Sequence, residues 1–217
     1  MTKTNKAMLE TIIQLTQTPV KDKIDKQLSM FKDLGKKDSL AWFSELCFCI
    51  LTANSKAKTA IAIQEQLGWK GFLSLNQKEL ALVIKKNKHR FHNNKSRYII
   101  EARKYAHDIK KIITNIVCND GLFAARLWLV RNIKGLGFKE ASHLLRNVGY
   151  SDISILDRHI LNLMFNMGII AYTLNSLTPK TYMEIEKHFF KLASKLNMTP
   201  AELDLYMWYI KTGKVLK

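Results

Sequence analysis

Two residues of the sequence, Lys139 and Asp157, have side chains that could take part in a reaction together. An uncharged lysine amine attacks electrophilic carbon, and a carboxylate can accept a proton or stabilise developing positive charge. Each residue also has a plainer interpretation. Lysines are mostly found on protein surfaces, and aspartate is a frequent helix N-cap. The elements around the two residues have to decide between these interpretations.

A tight turn lies just ahead of the lysine. Residues 122–131 (LFAARLWLVR) and 139–148 (KEASHLLRNV) predict two helices, and residues 132–138 (NIKGLGF) between them contain Gly135 and Gly137. So short a connection needs positive φ angles, which glycine adopts at low cost, and it exposes backbone N–H groups that can hold a phosphate. The pattern indicates a helix-hairpin-helix, with an ordinary glycine-capped turn as the plainer alternative.

The charge of the chain favours a nucleic-acid partner. There are 35 Lys and Arg residues against 18 Asp and Glu, a formal net charge of +17. Such an excess opposes compaction, and a nucleic-acid backbone is the commonest partner that offsets it. A merely basic protein is the alternative. A membrane partner is not expected, because the sequence has neither a long apolar run nor a basic amphipathic helix. We expect a cytoplasmic, nucleoid-associated protein.

The spacing of apolar residues predicts an all-α fold. One face of a long helix is predicted over residues 93–117, and no segment of useful length alternates as a strand would. Two later helices begin at Thr178-Pro179 and Thr199-Pro200, where a threonine cap precedes a proline in the first turn.

The three cysteines do not form a metal-binding motif. Cys47 and Cys49 are two residues apart in a predicted helix and therefore point to different faces, and the sequence has no CxxC. We expect these two and Cys118 to be reduced and buried, and we expect no bound metal and no cofactor.

The joint spacing changes the interpretation of the two reactive residues. Asp157 lies within residues 154–160 (SILDRHI), eighteen residues after Lys139 and beyond a turn at Gly149. Hairpin, lysine, glycine turn and aspartate, in this order and spacing, resemble the helix-hairpin-helix superfamily that includes endonuclease III.

Three further segments narrow the resemblance to the type 2 8-oxoguanine DNA glycosylase/AP lyases. They are residues 49–58 (CILTANSKAK), 90–99 (RFHNNKSRYI) and 204–217 (DLYMWYIKTGKVLK). The similarity extends over most of the chain from about Ser39 onward. The iron–sulfur cysteines that close many endonuclease III chains are absent from the sequence.

The resemblance implies two closely packed helical lobes with an active cleft between them. The first lobe would be six-helical, span residues 35–148, end with the hairpin and carry Lys139. The second would combine residues 1–34 with 149–217 and carry Asp157. The protein is expected to be a monomer that binds double-stranded DNA containing oxidised guanine.

The resemblance also implies a two-step reaction. The damaged nucleotide is flipped out of the duplex, and Lys139 displaces 8-oxoguanine to form a Schiff base. The strand is then nicked at the abasic site by β-elimination. The amine must be uncharged to react, a state that partial burial and a helix N-terminus both favour. Asp157 would stay ionised and assist.

Other residues are expected to contact the substrate. Trp208 would stack on the flipped purine, unless it is simply a core aromatic, and the resemblance implies that Lys217 brings its carboxylate near the damaged base. The remaining expected DNA contacts are Gly135, Gly137, Asn54, Arg90, Phe91 and Lys134. Lys95 and Arg97 are further candidates for phosphate contacts, although a charged helix face is usually only solvated.

Two alternatives stay open at this point. One is a cluster-free enzyme of the endonuclease III type that removes oxidised pyrimidines. The other is a non-catalytic helix-hairpin-helix DNA-binding protein, which the presence of both Lys139 and Asp157 disfavours.

Overall fold

The computed structural model describes residues 3–171 and 177–217. Within these residues the chain is helical and contains no β-strand, which confirms the all-α prediction. None of the described helices has the length and hydropathy needed to span a bilayer. Eleven α-helices follow one another in this part of the chain: α1 (Lys3–Leu15), α2 (Val20–Lys36), α3 (Ser39–Thr52), α4 (Ala57–Ser74), α5 (Gln77–Lys86), α6 (His92–Ala102), α7 (Ile109–Asn132), α8 (Phe138–Asn147), α9 (Arg158–Asn166), α10 (Pro179–Lys195) and α11 (Pro200–Thr212).

Contacts within the chain divide it into two compact units. Unit 1 consists of Met1–Lys32 and Gly149–Lys217, and unit 2 of Asp33–Val148. The first two residues and residues 172–176, which the predicted second lobe includes, lie outside the described part of the chain.

Unit 2 is organised around α3. Every residue from Glu45 to Thr52 is buried, so the helix is surrounded by protein on all sides rather than along one stripe. Helices α4, α6, α7 and α8 pack against it. The long apolar run of α3 therefore forms the centre of the unit, and the hairpin helices are built onto it.

The cysteines are free, and two of the three are buried. Cys47 and Cys49 lie inside α3, where burial raises the pKa of the Cys47 thiol. The prediction that Cys118 is buried is wrong, because this residue is exposed on α7.

The single long helix predicted over residues 93–117 is also wrong. Helix α6 ends at Ala102, and a 3-10 turn separates it from α7. Arg103, the first residue of this turn, donates a hydrogen bond from Nε to the carbonyl oxygen of Phe72 at 2.8 Å and another to that of Leu75. These carbonyls lie at the end of α4, where helix carbonyls lack internal donors. The turn that separates the two helices is thus held by hydrogen bonds from Arg103 to a distant part of the chain.

In unit 1 the predicted helix starts are confirmed. The side chain of Thr178 accepts a hydrogen bond from the backbone of Thr181, and that of Thr199 accepts one from Glu202. A proline follows each cap in the first turn. Helix α11 packs against α1, α9 and α10 and so forms the centre of this unit.

Candidate active site

The predicted helix-hairpin-helix is formed by α7, residues 133–137 and α8. Gly135 has a φ of +89°, as expected. A Cβ atom there would also lie 2.5 Å from Cδ2 of Tyr98, so the position needs glycine for space as well as for conformation. The expectation of a positive φ is wrong for Gly137, which is extended (φ −94°, ψ −172°) and caps α8.

The backbone groups at the start of α8 are partly occupied within the hairpin. The Gly137 N–H donates to Oε2 of Glu140 at 3.1 Å, completing a capping interaction. The N–H of Lys139 lies in the first turn of α8, where a helix offers its N–H groups no internal acceptor. The candidate phosphate-binding donors are therefore those of the helix start rather than that of Gly137 itself.

Replacing Gly135 by alanine is expected to destabilise the protein more than the same replacement at a glycine where an added Cβ atom has open space around it. The positive φ costs about 1 kcal/mol, and the clash with Tyr98 should add roughly 1–3 kcal/mol. Gly121 is the matched control, because it has a similar φ of +86° and a Cβ added there would meet no atom within 4 Å. Urea denaturation of both alanine variants isolates the steric cost. Equal losses of unfolding free energy would contradict the proposed contact.

Lys139 is the second residue of α8 and sits at the rim of the hairpin. Its side chain is 27% exposed, and its Nζ lies 3.7 Å from Oε1 of Glu140. The amine is thus partly accessible to solvent and lies beside the carboxylate of the next residue.

One face of α6 lies against the hairpin. Tyr98 contacts Gly135. Glu101 forms an ion pair with the exposed Lys134, with 3.0 Å between Oε2 and Nζ. On the same face Lys95 is buried, with only 5% of its surface exposed, and its predicted phosphate contact stays a prediction. Nothing in the sequence pattern distinguishes this lysine from its solvated neighbours.

Two turns with residues predicted to contact DNA are joined by a buried histidine. Asn54, exposed after α3, has a φ of +58°, and the guanidinium of exposed Arg90 lies 4.5 Å from the centre of the Phe91 ring. Between them, Nε2 of His89 lies 2.9 Å from the carbonyl oxygen of Leu51, and Nδ1 accepts from the Phe91 N–H at 3.2 Å. This pairing requires the neutral ring with its proton on Nε2. Sequence reasoning missed His89.

The folded protein should lose stability in mild acid through His89. Burial, with smaller contributions from Lys95 and His92, lowers the pKa of His89. The unfolded chain, with a histidine pKa of about 6.5, therefore binds more protons in the window below that value. The contribution is fully present above about pH 6.5 and is lost as the pH falls through the folded pKa. Thermal melts against pH should show this loss in the native protein.

The control for this prediction is His107, an exposed histidine of the same unit. His89→Gln should flatten the acid side of the stability curve, and His107→Gln should leave its slope as in the native protein. An unchanged slope in His89→Gln would rule out the buried ring as the source.

In unit 1, Asp157 caps α9. Its Oδ1 accepts hydrogen bonds from the backbone N–H groups of His159 at 2.8 Å and Ile160 at 2.9 Å. Its Oδ2 makes no hydrogen bond to any described residue. The plain cap interpretation is confirmed, and one oxygen of the oriented carboxylate remains for a second role.

A buried network holds the extended segment that leads to Asp157. The hydroxyl of Tyr182, on α10, donates to the carbonyl oxygen of Ser154 at 2.9 Å and accepts from the Leu156 N–H at 3.1 Å. The Ser154 hydroxyl in turn donates to Oε1 of Glu186 at 3.0 Å. The position of the aspartate is therefore set by α10 as well as by its own helix.

Trp208 and His159 form a ring pair beside the aspartate cap. Their centroids are 5.1 Å apart at an interplanar angle of 77°. The indole N–H of Trp208 is buried and meets no acceptor among the described residues, although the residue as a whole is partly exposed. Lys217, at the end of the tail, is half-buried. Their predicted contacts with a damaged base stay predictions.

Among the residues that the structure describes, no three His, Cys, Asp or Glu side chains cluster in a way that could hold a metal ion.

Comparison with known proteins places this all-α, hairpin-containing chain in one family. The family described as 8-oxoguanine DNA glycosylase matches residues 24–198. The 8-oxoguanine DNA glycosylase/AP lyase of Methanocaldococcus jannaschii is 44% identical over 210 residues, which is 97% of this chain and 99% of the relative. The chain belongs to the 8-oxoguanine DNA glycosylase family, as the sequence segments predicted.

Solved structures agree with this placement. The crystal structure of the M. jannaschii 8-oxoguanine glycosylase/lyase in complex with a 15mer DNA containing 8-oxoguanine superimposes with a TM-score of 0.93. It covers 97% of this chain and 100% of that one, at 43% identity. An endonuclease III–DNA complex has a TM-score of 0.53 at 16% identity, covering 88% of this chain and 83% of that one, and shares the fold alone.

Proposed function

We propose that this chain excises 8-oxoguanine from double-stranded DNA and then nicks the strand at the abasic site. The observation that carries the proposal is its 44% identity, along almost the whole of both chains, to an 8-oxoguanine DNA glycosylase/AP lyase. The net charge of +17 supports a DNA partner, because Lys and Arg displace counterions from the phosphate backbone.

The hairpin supplies the groups for binding the backbone and starting the reaction. The N–H groups at the start of α8 suit a phosphate, and the Lys139 amine belongs to the same turn. In the first step Nζ forms a bond to C1′ of the flipped nucleotide, the glycosidic bond breaks, and the base leaves with the bonding electrons. The nitrogen then loses a proton, the C1′=N double bond of the imine forms as the C1′–O4′ bond of the sugar ring breaks, and O4′ takes up a proton. The departing base is protonated as well.

Strand scission then follows from the imine. A proton leaves C2′, the electron pair shifts toward the iminium, and the C3′–O3′ bond breaks to release the 3′-side phosphate. Asp157 would stabilise the positive charge on the sugar and accept a proton through Oδ2, because Oδ1 is committed to the helix cap. Hydrolysis of the imine frees Lys139 for another turnover.

Recognition of the damaged base is assigned to the unit 1 aromatic pair and the tail. In this proposal Trp208, held edge-on by His159, stacks on the flipped purine, and Lys217 lies near the base. Asn54, Arg90 and Phe91 fill the vacated position and probe the opposite strand. The enzyme would act as a monomer in the cytoplasm, beside the nucleoid.

A panel of lesion duplexes tests the proposal. Each duplex carries 8-oxoguanine opposite one of the four bases, an oxidised pyrimidine, an abasic site or no lesion, and strand cleavage is followed with and without borohydride. Cleavage of the 8-oxoguanine and abasic duplexes, with a covalent adduct under borohydride, is expected. Preferential cleavage at oxidised pyrimidines would favour the endonuclease III type, and binding without cleavage would favour the non-catalytic alternative.

A further inference from the structure

The ring of His89 links two turns that are far apart in the chain. Its Nε2 donates to the carbonyl oxygen of Leu51 at 2.9 Å, across 38 residues of sequence, and its Nδ1 accepts from the Phe91 N–H at 3.2 Å. The histidine is only 2% exposed. A neutral imidazole carries one donor and one acceptor on a rigid ring, so the two backbone groups are held at a set separation.

One end of this link lies at the end of α3. Leu51 belongs to the last turn of the helix, where carbonyl groups lack internal donors. The Ser55 N–H, which would continue the helical pattern, donates instead to the carbonyl oxygen of Thr52 at 3.1 Å. Asn54 is exposed in the same turn. The ring of His89 therefore takes the place of the next helical donor, where the chain turns to present Asn54.

The other end lies between α5 and α6. The backbone N–H of His89 donates to the carbonyl oxygen of Ile84, in the last turn of α5, at 3.3 Å. Phe91 directly precedes α6, and its N–H is bound by the ring. Arg90, between the two, is exposed and stacks on the Phe91 ring. The ring thus fixes the backbone on both sides of Arg90.

Both turns contain strained backbone. Asn54 (φ +58°) and Lys88 (φ +59°) are two of the three non-glycine residues with a positive φ among those that the structure describes. This conformation is unfavourable for residues with a Cβ atom, more so for lysine than for asparagine, and persists only where the surroundings impose it. Both side chains are exposed, so they add little packing in return. Strain that presents exposed side chains indicates a role outside folding.

We propose that His89 is a positioning residue for discrimination between the bases opposite the lesion, because it joins the Asn54 turn and the Arg90–Phe91 turn into one rigid unit. The inference rests on the proposed function, in which these turns enter the duplex beside the flipped nucleotide. Discrimination requires polar groups at set positions, since a wrong base then leaves a buried donor or acceptor unpaired. Turns that moved independently could adapt to a wrong base, and linking them removes that freedom.

Three variants separate the two hydrogen bonds of the ring. His89→Asn can still accept from the Phe91 N–H, because an asparagine side chain commonly binds the backbone two residues on, but it does not reach Leu51. His89→Gln can still donate to the Leu51 carbonyl, but it offers no acceptor at the position of Nδ1. His89→Leu makes neither bond.

Single-turnover excision of 8-oxoguanine is measured for each variant with each of the four bases opposite the lesion. In His89→Leu, the ratio of the fastest to the slowest rate should fall by roughly three- to tenfold, through a loss of rate opposite the preferred base. Because a link needs both ends, His89→Asn and His89→Gln should each lose nearly as much. Two smaller losses that add up to the loss in His89→Leu would mean that each bond anchors only its own turn, which contradicts the proposal.

Two controls separate this role from a loss of stability. Ile63→Val removes a methylene group from the buried face of α4 in the same unit and should lower Tm while the ratio of rates stays native. His107→Gln alters an exposed histidine and should leave both quantities unchanged. A ratio that falls with Tm in Ile63→Val as well would assign the effect to stability and overturn the inference.

The remaining outcomes are also decisive. The inference fails if His89→Leu keeps the native ratio, if it slows excision equally opposite every base, or if the native protein itself does not distinguish the four bases. A native protein that excises no 8-oxoguanine from any duplex would instead refute the proposed function. That result differs from native excision whose dependence on the opposite base is unaffected by His89.

Discussion

Replacing Lys139 by glutamine is expected to abolish the covalent adduct with 8-oxoguanine duplexes and to reduce strand cleavage by at least about 10³-fold. Glutamine has no nucleophilic amine, so neither the displacement of the base nor the imine that enables β-elimination can proceed. The side chain is partly exposed, and its ion pair with Glu140 is 3.7 Å long. A pair of this kind contributes about 0–1 kcal/mol, so the variant should fold and melt almost as the native protein does.

The same substitution at Lys78 controls for the loss of one positive charge. Lys78 is exposed at the start of α5, and Lys78→Gln should retain both the adduct and the cleavage. Duplex affinity measured by fluorescence anisotropy should be similar for the two variants, since each loses one positive charge. An undiminished adduct in Lys139→Gln would assign the Schiff base to another amine.

Replacing Asp157 by asparagine should separate the cap from the chemistry. Asparagine is as good an N-cap as aspartate, so its side-chain oxygen can keep the bonds to His159 and Ile160. It has no negative charge, so it cannot stabilise the cationic sugar or accept a proton. We expect single-turnover excision to fall by about 10²–10⁴-fold, with unfolding free energy lowered by less than about 1 kcal/mol.

Asp157→Ala completes the comparison, because it removes cap and charge together. It should lose a similar amount of activity and, in addition, about 1 kcal/mol of stability measured by denaturant unfolding. If Asp157→Asn keeps nearly native excision while Asp157→Ala does not, the residue serves only as the helix cap, and the proton acceptor must be sought elsewhere.

The candidate site includes several side chains whose roles depend on what lies around them. His89 ties the turn after α3 to the turn before α6 through two backbone groups, and it must remain neutral to do so. Tyr182 likewise fixes the segment ahead of Asp157. Neither residue is proposed to touch the substrate. Each of them fixes a segment of backbone that lies next to residues proposed to contact it.

Local features of the fold could be predicted from the sequence because they depend on neighbouring residues alone. The caps at Thr178 and Thr199 need only a hydroxyl and the first turn of the following helix. The positive φ at Gly135 follows from the shortness of the connection between two helices. Family membership could be predicted as well, since several separate segments of the sequence resemble the family.

Other features depend on residues far apart in the chain. The apolar periodicity does not predict that α6 ends at Ala102. The turn that follows is held by Arg103, which donates hydrogen bonds to carbonyl groups about thirty residues earlier in the chain. Gly137 resembles Gly135 in sequence but is extended, because Glu140 binds its N–H and makes it a helix cap. The spacing of residue types along the chain does not predict such contacts.

Residue types and their spacing were enough to predict an all-helical chain, a glycine hairpin ahead of Lys139 and a helix that Asp157 opens. They were not enough to predict which charges are buried. Lys95 and Lys134 are both lysines of a basic chain. Packing leaves the Lys134 side chain in solvent beside Glu101, whereas Lys95 is enclosed and has Lys139 among the charges that act on it. The free energy of a charge depends on the dielectric around it, and that environment exists only once distant helices have packed.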